Sequence, residues 1–395
     1  MTPKIPERIR HIELPPFDPL NERAAQLRAQ GHHVISLGQA LPFFGPPPPA
    51  LAAARAAMDT PDVNIYSTDP GLLSLREALA VRLRETLQTV CGAQDLVITA
   101  GANHAFTLAL TTLVDPGDEV VLPAPYFTNH QMAVAALGAV PVDAPVSDRE
   151  TFAIRWEDLE PHLTARTRAV ALCTPSNPTG AVLDPAEGER IVRELAARGI
   201  VLISDETYMH FVYGRPHWSA ASVPAWRENV VVLGTFSKSF GMMGWRLGFM
   251  LADSAVCDHA VKIQDAMIIC APKISQIAGE AAVRESWAYP QSFAAEFIER
   301  RRIMQQGLAA VSRLHWTPTN GGFFAFARVT GCDDSAAMAI ELLERAHVIT
   351  IPGAAFGRAG EGHLRLSYGA VPVHDLREAI QCLARFLEER RAAAL

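Results

Sequence analysis

Ala169-Val-Ala-Leu-Cys-Thr-Pro-Ser-Asn177-Pro-Thr-Gly180, then a helical run over residues 187–198, then Val201-Leu-Ile-Ser-Asp205, make one strand–helix–strand unit. Each apolar run is short, and the first is closed by the turn formers Asn-Pro and Thr-Gly. Strands that alternate with helices in this way belong to a mostly parallel sheet in an α/β domain. The alternation continues on both sides of the unit. Apolar strands are expected at 96–99, 120–122, 230–234 and 247–251, with helices at 50–58, 72–90 and 103–113.

Beyond residue 251 the pattern turns helical, with a long amphipathic stretch over 290–312. A smaller set follows at 323–327, 335–346, 348–351, 363–368 and 376–389. This reads as a second, smaller α+β domain. The proline-rich segment 8–49, helical near 20–30, reads as an arm that completes it. The expected division is 1–49 for the arm, 50–290 for a large domain and 291–395 for the rest of the small one. Pro46–Pro49 is a helix entry, since an alanine-rich helix follows at once.

The chain has 395 residues, long for a single core, which favours two domains. Hydrophobic residues make up 49% and charged residues 19%, a balance that excludes disorder. A net charge of −7 gives no reason to expect nucleic acid or an anionic membrane as partner. No apolar run approaches a membrane span, and the first nineteen residues lack a signal-type core. The six cysteines follow no metal or disulfide spacing, which points to a reduced, cytoplasmic protein.

Only four lysines occur: Lys4, Lys238, Lys262 and Lys273. Lysine can act as an amine nucleophile, which arginine cannot. Lys238 lies in Thr235-Phe-Ser-Lys238-Ser-Phe-Gly-Met-Met-Gly-Trp-Arg246, where a hydroxyl and an arginine flank the amine as phosphate ligands would. The pattern describes a Schiff-base lysine beside a phosphorylated aldehyde cofactor. Four further motifs fit. Gly101-Ala102-Asn103 opens a helix after a strand, where backbone N–H groups can face a phosphate. Tyr126-Phe127 offers an aromatic ring for stacking, unless both are core residues. Asn177 stands at the end of a parallel strand, where open α/β sheets bind ligands. Asp205 closes a strand, and a protonated pyridine nitrogen would pair with it, while Tyr208 three residues on could reach a ring oxygen.

In their order and spacing these motifs resemble the class I/II aminotransferases, the fold-type-I pyridoxal-phosphate enzymes of the aspartate aminotransferase superfamily. The similarity runs from 35–44 through Asn64-Ile-Tyr66-Ser-Thr-Asp-Pro-Gly71 to Gly362-His-Leu-Arg365-Leu-Ser. It implies a seven-stranded-type sheet between helices in the large domain, and pyridoxal 5′-phosphate carried on Lys238. Asp205 would pair with the ring nitrogen, Asn177 and Tyr208 would contact the ring oxygen, and Phe127 would stack. Gly101, Ala102, Asn103, Thr235, Ser237 and Arg246 would hold the phosphate. Arg365 would grip the substrate α-carboxylate, aided by Ala40 and Asn177. Tyr66 would reach the phosphate of a neighbouring subunit, which implies a homodimer with shared sites. No metal is implied.

Two features depart from the family. Ala40 stands where glycine is usual, and its N–H serves only if φ is negative. Leu41 and Phe43 are apolar, and no arginine occurs in 263–283, although Lys273 lies there. Both point away from a dicarboxylate, towards an aromatic, aliphatic or thioether L-amino acid exchanging its amino group with a 2-oxo acid. A lyase, cyclase or oxidase on the same scaffold is the alternative. A ligand sensor that keeps the pocket and a cofactor-free α/β protein are further rivals. His104 and His210 flank the motifs and read as structural. The glycine-rich run Gly353–Gly362 is backbone flexibility near the substrate, not a phosphate loop.

Overall fold

The computed structural model describes residues 3–392. Its main sheet contains Leu96–Thr99 (β1), Glu119–Ala124 (β2), Val140–Pro145 (β3), Thr167–Cys173 (β4), Val201–Asp205 (β5), Val230–Thr235 (β6) and Gly248–Leu251 (β7). The spatial order is β1-β7-β6-β5-β4-β2-β3. All neighbours are parallel except β7, which runs antiparallel to both β1 and β6. Two reversals cancel, so β1 points the same way as β2 to β6.

Alternation along each strand sends successive side chains to opposite faces. Leu202 packs into one apolar cluster and Ile203 into another, and Val97 is similarly separated from Leu96 and Ile98. Both faces are therefore covered, as a parallel sheet requires. The helix between β4 and β5 spans Pro185–Ala196. Pro185 starts it, and the Asp184 carboxylate accepts from the Ala186 and Glu187 N–H groups at 3.0 and 3.3 Å.

A four-stranded antiparallel sheet follows, ordered Ile351–Pro352, His363–Ser367, Phe324–Val329 and Leu314–His315. Ile35–Ser36 pairs in parallel with Val348–Ile349. Ile35, Leu37 and Phe44 share a buried cluster with Phe297, Leu342, Leu364 and Leu383, so the start of the chain packs into the core of its end.

Several boundaries differ from the sequence expectations. The strand Val140–Pro145 was not anticipated. It contains Pro141 and Pro145 and is half exposed, features that an edge strand tolerates and a central one does not. The run 348–351 is not one strand, because its two halves join different sheets on either side of Thr350. The helix expected over 72–90 spans Leu73–Leu87 and stops at Gln88, whose φ of 53° is left-handed. The stretch 290–312 resolves into a 3-10 turn, Pro290–Phe293, and the helix Ala294–Ala309. Among the described residues no helix is long and apolar enough to cross a membrane.

Candidate active site

The polarity of the main sheet gathers one set of residues at one edge. The C-terminal ends of β1, β2, β4, β5 and β6 all lie there, as does the N-terminal end of the reversed strand β7. Ligands of open α/β sheets bind at such ends. They deliver Ala102 and Asn103 after β1, Phe127 after β2 and Asn177 after β4. Asp205 closes β5, Thr235 closes β6, and Arg246 precedes β7. Lys238 follows β6 on the one-turn helix Phe236–Ser239, whose start Thr235 caps by accepting from the Ser237 N–H at 3.1 Å.

A cavity of about 450 Å³ opens at this edge. Ala40, Ala102, Asn103, Phe127, Asn177, Asp205, Tyr208, Thr235, Ser237, Lys238, Arg246 and Arg365 all line it. Gly101 lies just behind. Its φ of 89° is open to glycine, and a Cβ there would collide with the Arg246 guanidinium. Tyr66 stands apart, 72% exposed and outside the cavity of its own chain.

Asp205 is buried, and burial opposes its ionisation. The hydrogen bond and charge of His130, with donors from Thr207, outweigh that and hold its pKa below the ordinary carboxylate value. His130 Nε2 lies 3.1 Å from Asp205 Oδ2, and its ring stacks on Phe106 at 4.1 Å. Burial, with the charges of Arg365 and Arg246, lowers Lys238 to about 8 despite the opposing charge of Asp205. Its amine donates to the Ala40 carbonyl at 2.7 Å. Ala40 itself lies outside the left-handed region, so alanine is unstrained there. Burial raises the Tyr208 phenol well above its usual value, which keeps it neutral.

Arg365 is fully buried without a carboxylate partner. Nη1 donates to Asn177 Oδ1 at 2.9 Å, Nη2 donates to the Gly38 carbonyl, and Nε has no partner. Its charge is held among Phe17, Phe324 and Phe356, with ring centroids 5.6, 5.8 and 5.1 Å from the guanidinium carbon. Burial lowers its pKa to about 10, so it stays charged at neutral pH. An uncompensated buried cation with free N–H donors is a receptor for a carboxylate. Near β7, the Arg246 guanidinium lies 3.4 Å from Ser237 Oγ and 3.3 Å from the Ala100 carbonyl.

These residues fit pyridoxal phosphate. A Cβ on Gly101 would displace the Arg246 guanidinium, the Asp205 carboxylate lines the cavity, and the Lys238 amine and the Arg246 guanidinium face into it. The competing lysines are placed elsewhere. Lys262 is exposed beside His259, and Lys273 is paired with Asp62 at 2.8 Å.

Phe43 is not part of the cavity, contrary to the expectation that it shapes the substrate pocket. It packs instead against Phe293, Phe297 and the Arg300 guanidinium, with centroid distances of 5.4, 5.1 and 4.5 Å, so its ring is engaged in an aromatic cluster away from the cavity. Leu41 does line the cavity. His104 accepts the Ala100 N–H at 3.1 Å, and His210 is half-buried beside Trp287, and neither lines the cavity. Sequence reasoning missed His130, Pro15, Phe17 and Asn129. His130 carried a signal, standing three residues after Phe127 at the start of a helix, but Pro15 and Phe17 arrive from a distant part of the chain.

The family model described as aminotransferase class I and II matches residues 32–383. An aspartate aminotransferase of Pyrococcus abyssi is 33% identical over 91% of this chain and 92% of its own length. An aromatic-amino-acid aminotransferase of Thermococcus litoralis is also 33% identical, over 92% of this chain and 94% of its own. The crystal structure of an aromatic aminotransferase from Pyrococcus horikoshii superposes with a TM-score of 0.87 at 33% identity, covering 94% of this chain and 99% of that one.

Proposed function

The chain belongs to the class I and II aminotransferases, pyridoxal-phosphate-dependent transferases, and from that premise we propose that its amino donor is an L-amino acid with an aromatic, aliphatic or thioether side chain. The acceptor is a 2-oxo acid. The observation that carries this reading is the charge inventory of the cavity. Its cations are Lys238, Arg246 and Arg365, each with a proposed task, and no further cation of this chain lines it among the described residues. Lys273, the candidate for a second carboxylate, is taken by Asp62. Within this chain a distal carboxylate would enter beside Pro15, Phe17 and Leu41, with no cationic side chain among the described residues to neutralise it.

The cofactor, when bound, supplies the aldehyde that captures an amine and the ring that withdraws electrons from it. The side chains do the rest. Lys238 would hold the cofactor, and its Nζ would take the proton from the substrate Cα. Asp205, whose ionised form His130 favours, would pair with the ring nitrogen. Asn177 spends its oxygen on Arg365, which leaves its amide N–H₂ to donate towards the ring oxygen beside the neutral Tyr208 phenol. Phe127, which lines the cavity, would stack on the ring. Gly101, Ala102, Asn103, Thr235, Ser237 and Arg246 would hold the phosphate. Arg365 receives the α-carboxylate, with the Ala40 N–H beside it.

A homodimer is part of the same reading. Met58, Ile65, Tyr66, Leu73, Met267 and Ile268 are large apolar side chains left exposed, which suits a surface covered by a second copy. Tyr66, outside its own cavity, would then reach its neighbour's phosphate. The six cysteines are unpaired, which suits the reducing cytoplasm. The two-domain division proposed from the sequence is supported by the separate cluster that joins both chain ends.

The test is a donor screen. Leucine, methionine, phenylalanine, tyrosine and aspartate are each mixed with holoenzyme without an acceptor, and 2-oxo acid is measured. One equivalent per subunit is expected from the apolar donors, well before any from aspartate. A preference for aspartate would overturn the substrate class, and release of ammonia with 2-oxo acid continuing beyond one equivalent per subunit would overturn transamination.

A further inference from the structure

Phe17 opens the helix Phe17–Ala29, and its ring is half-buried in the cavity wall with Pro15 and Leu41. Phe324 and Phe356 also flank Arg365, but both are fully buried behind it. Phe17 is the member of that trio that both touches the guanidinium's surroundings and faces the cavity. Its helix is fixed to the body of the protein. Leu20, Ala24 and Leu27 are buried, and Arg23 Nη2 donates to Glu344 Oε2 at 2.8 Å. A carboxylate on Arg365 would stand roughly 2.8 Å from its nitrogens. The ring centroid, 5.6 Å from the guanidinium carbon, is then within reach of the side chain that leaves the same substrate's Cα.

We propose that Phe17 is a specificity-determining residue, whose ring forms the wall against which an aromatic or long apolar donor side chain packs. The proposal rests on the transamination reading and deepens it. Aromatic pairs gain from edge-to-face or offset contact beyond the area they bury, and an apolar wall offers nothing to a charged tail.

The test compares holoenzyme carrying Phe17, Phe17→Leu or Phe17→Ala. Dissociation constants are measured calorimetrically for 3-phenylpropionate and for propionate, which share a carboxylate and differ in the ring. The ratio of the two constants is the readout, so a variant that merely weakens Arg365 leaves it unchanged. The ratio is expected to fall about tenfold in Phe17→Ala, the scale of discrimination an apolar pocket achieves, and by less in Phe17→Leu. Equal weakening of both ligands, or an unchanged ratio, would overturn the proposal. Wild-type holoenzyme that forms no 2-oxo acid from any donor would instead bring down the transamination reading, and the proposal with it.

Discussion

Lys238 illustrates what one residue's surroundings dictate. In water its amine would be protonated up to about pH 10.4, whereas here burial and two arginines bring it to about 8. The fold therefore disfavours the charged form. Below about pH 8 the apoenzyme bears that penalty in full, and it disappears as pH rises towards the unfolded value. Apoenzyme carrying Lys238→Met should be more resistant to urea than wild type at pH 7. The advantage should shrink as pH rises from 8 to 10.5, and a constant advantage would contradict the assignment. His130 acts on the neighbouring group. Replacing it with alanine removes the hydrogen bond that offsets burial of Asp205, so the carboxylate should protonate at higher pH. The acid limb of the kcat/KM profile should move upward by about one to two units, since such a bond to a charge is worth about 1.5–3 kcal/mol.

At the scale of elements, strand direction accounts for the site. Six of the seven main strands could be read from short apolar runs, and the turns after them carry the motifs that line the cavity. Val140–Pro145 was illegible because its prolines and half-exposed face match no strand pattern, and only the neighbour β2 defines it. The run 348–351 reads as one strand, since nothing local marks the change of sheet at Thr350. Phe17 was illegible for another reason: its partner Arg365 is remote in sequence, and apolar periodicity reports only local packing. The junction of β1 with the helix Ala102–Leu113 yields a prediction. Gly101 has φ 89° and ψ 171°, a conformation essentially confined to glycine that costs alanine about 1–3 kcal/mol. Gly101→Ala should lower the urea midpoint accordingly. By displacing Arg246 it should also weaken cofactor binding in a fluorescence titration, and unchanged affinity would remove the turn from the proposed phosphate site.

For the whole molecule, the exposed apolar surface around Tyr66 and the cavity at the sheet edge are one proposal in two parts. If two copies share their sites, Tyr66→Phe should weaken cofactor binding although Tyr66 is remote from its own cavity. Sedimentation should give twice the 42.8 kDa chain mass, and a stable monomer with full activity would exclude shared sites. Saturation with cofactor should raise stability by about 2.7 kcal/mol at one hundred times its dissociation constant, visible as a higher Tm for holoenzyme than for apoenzyme. The central claim is that Lys238 carries the proton transfer in this cavity, and single-turnover formation of 2-oxo acid from a bound apolar amino acid tests it most directly. Lys238→Ala is predicted to slow that step by about 10²–10⁴-fold, the contribution of a positioned general acid–base. A rate within a few-fold of wild type would contradict it.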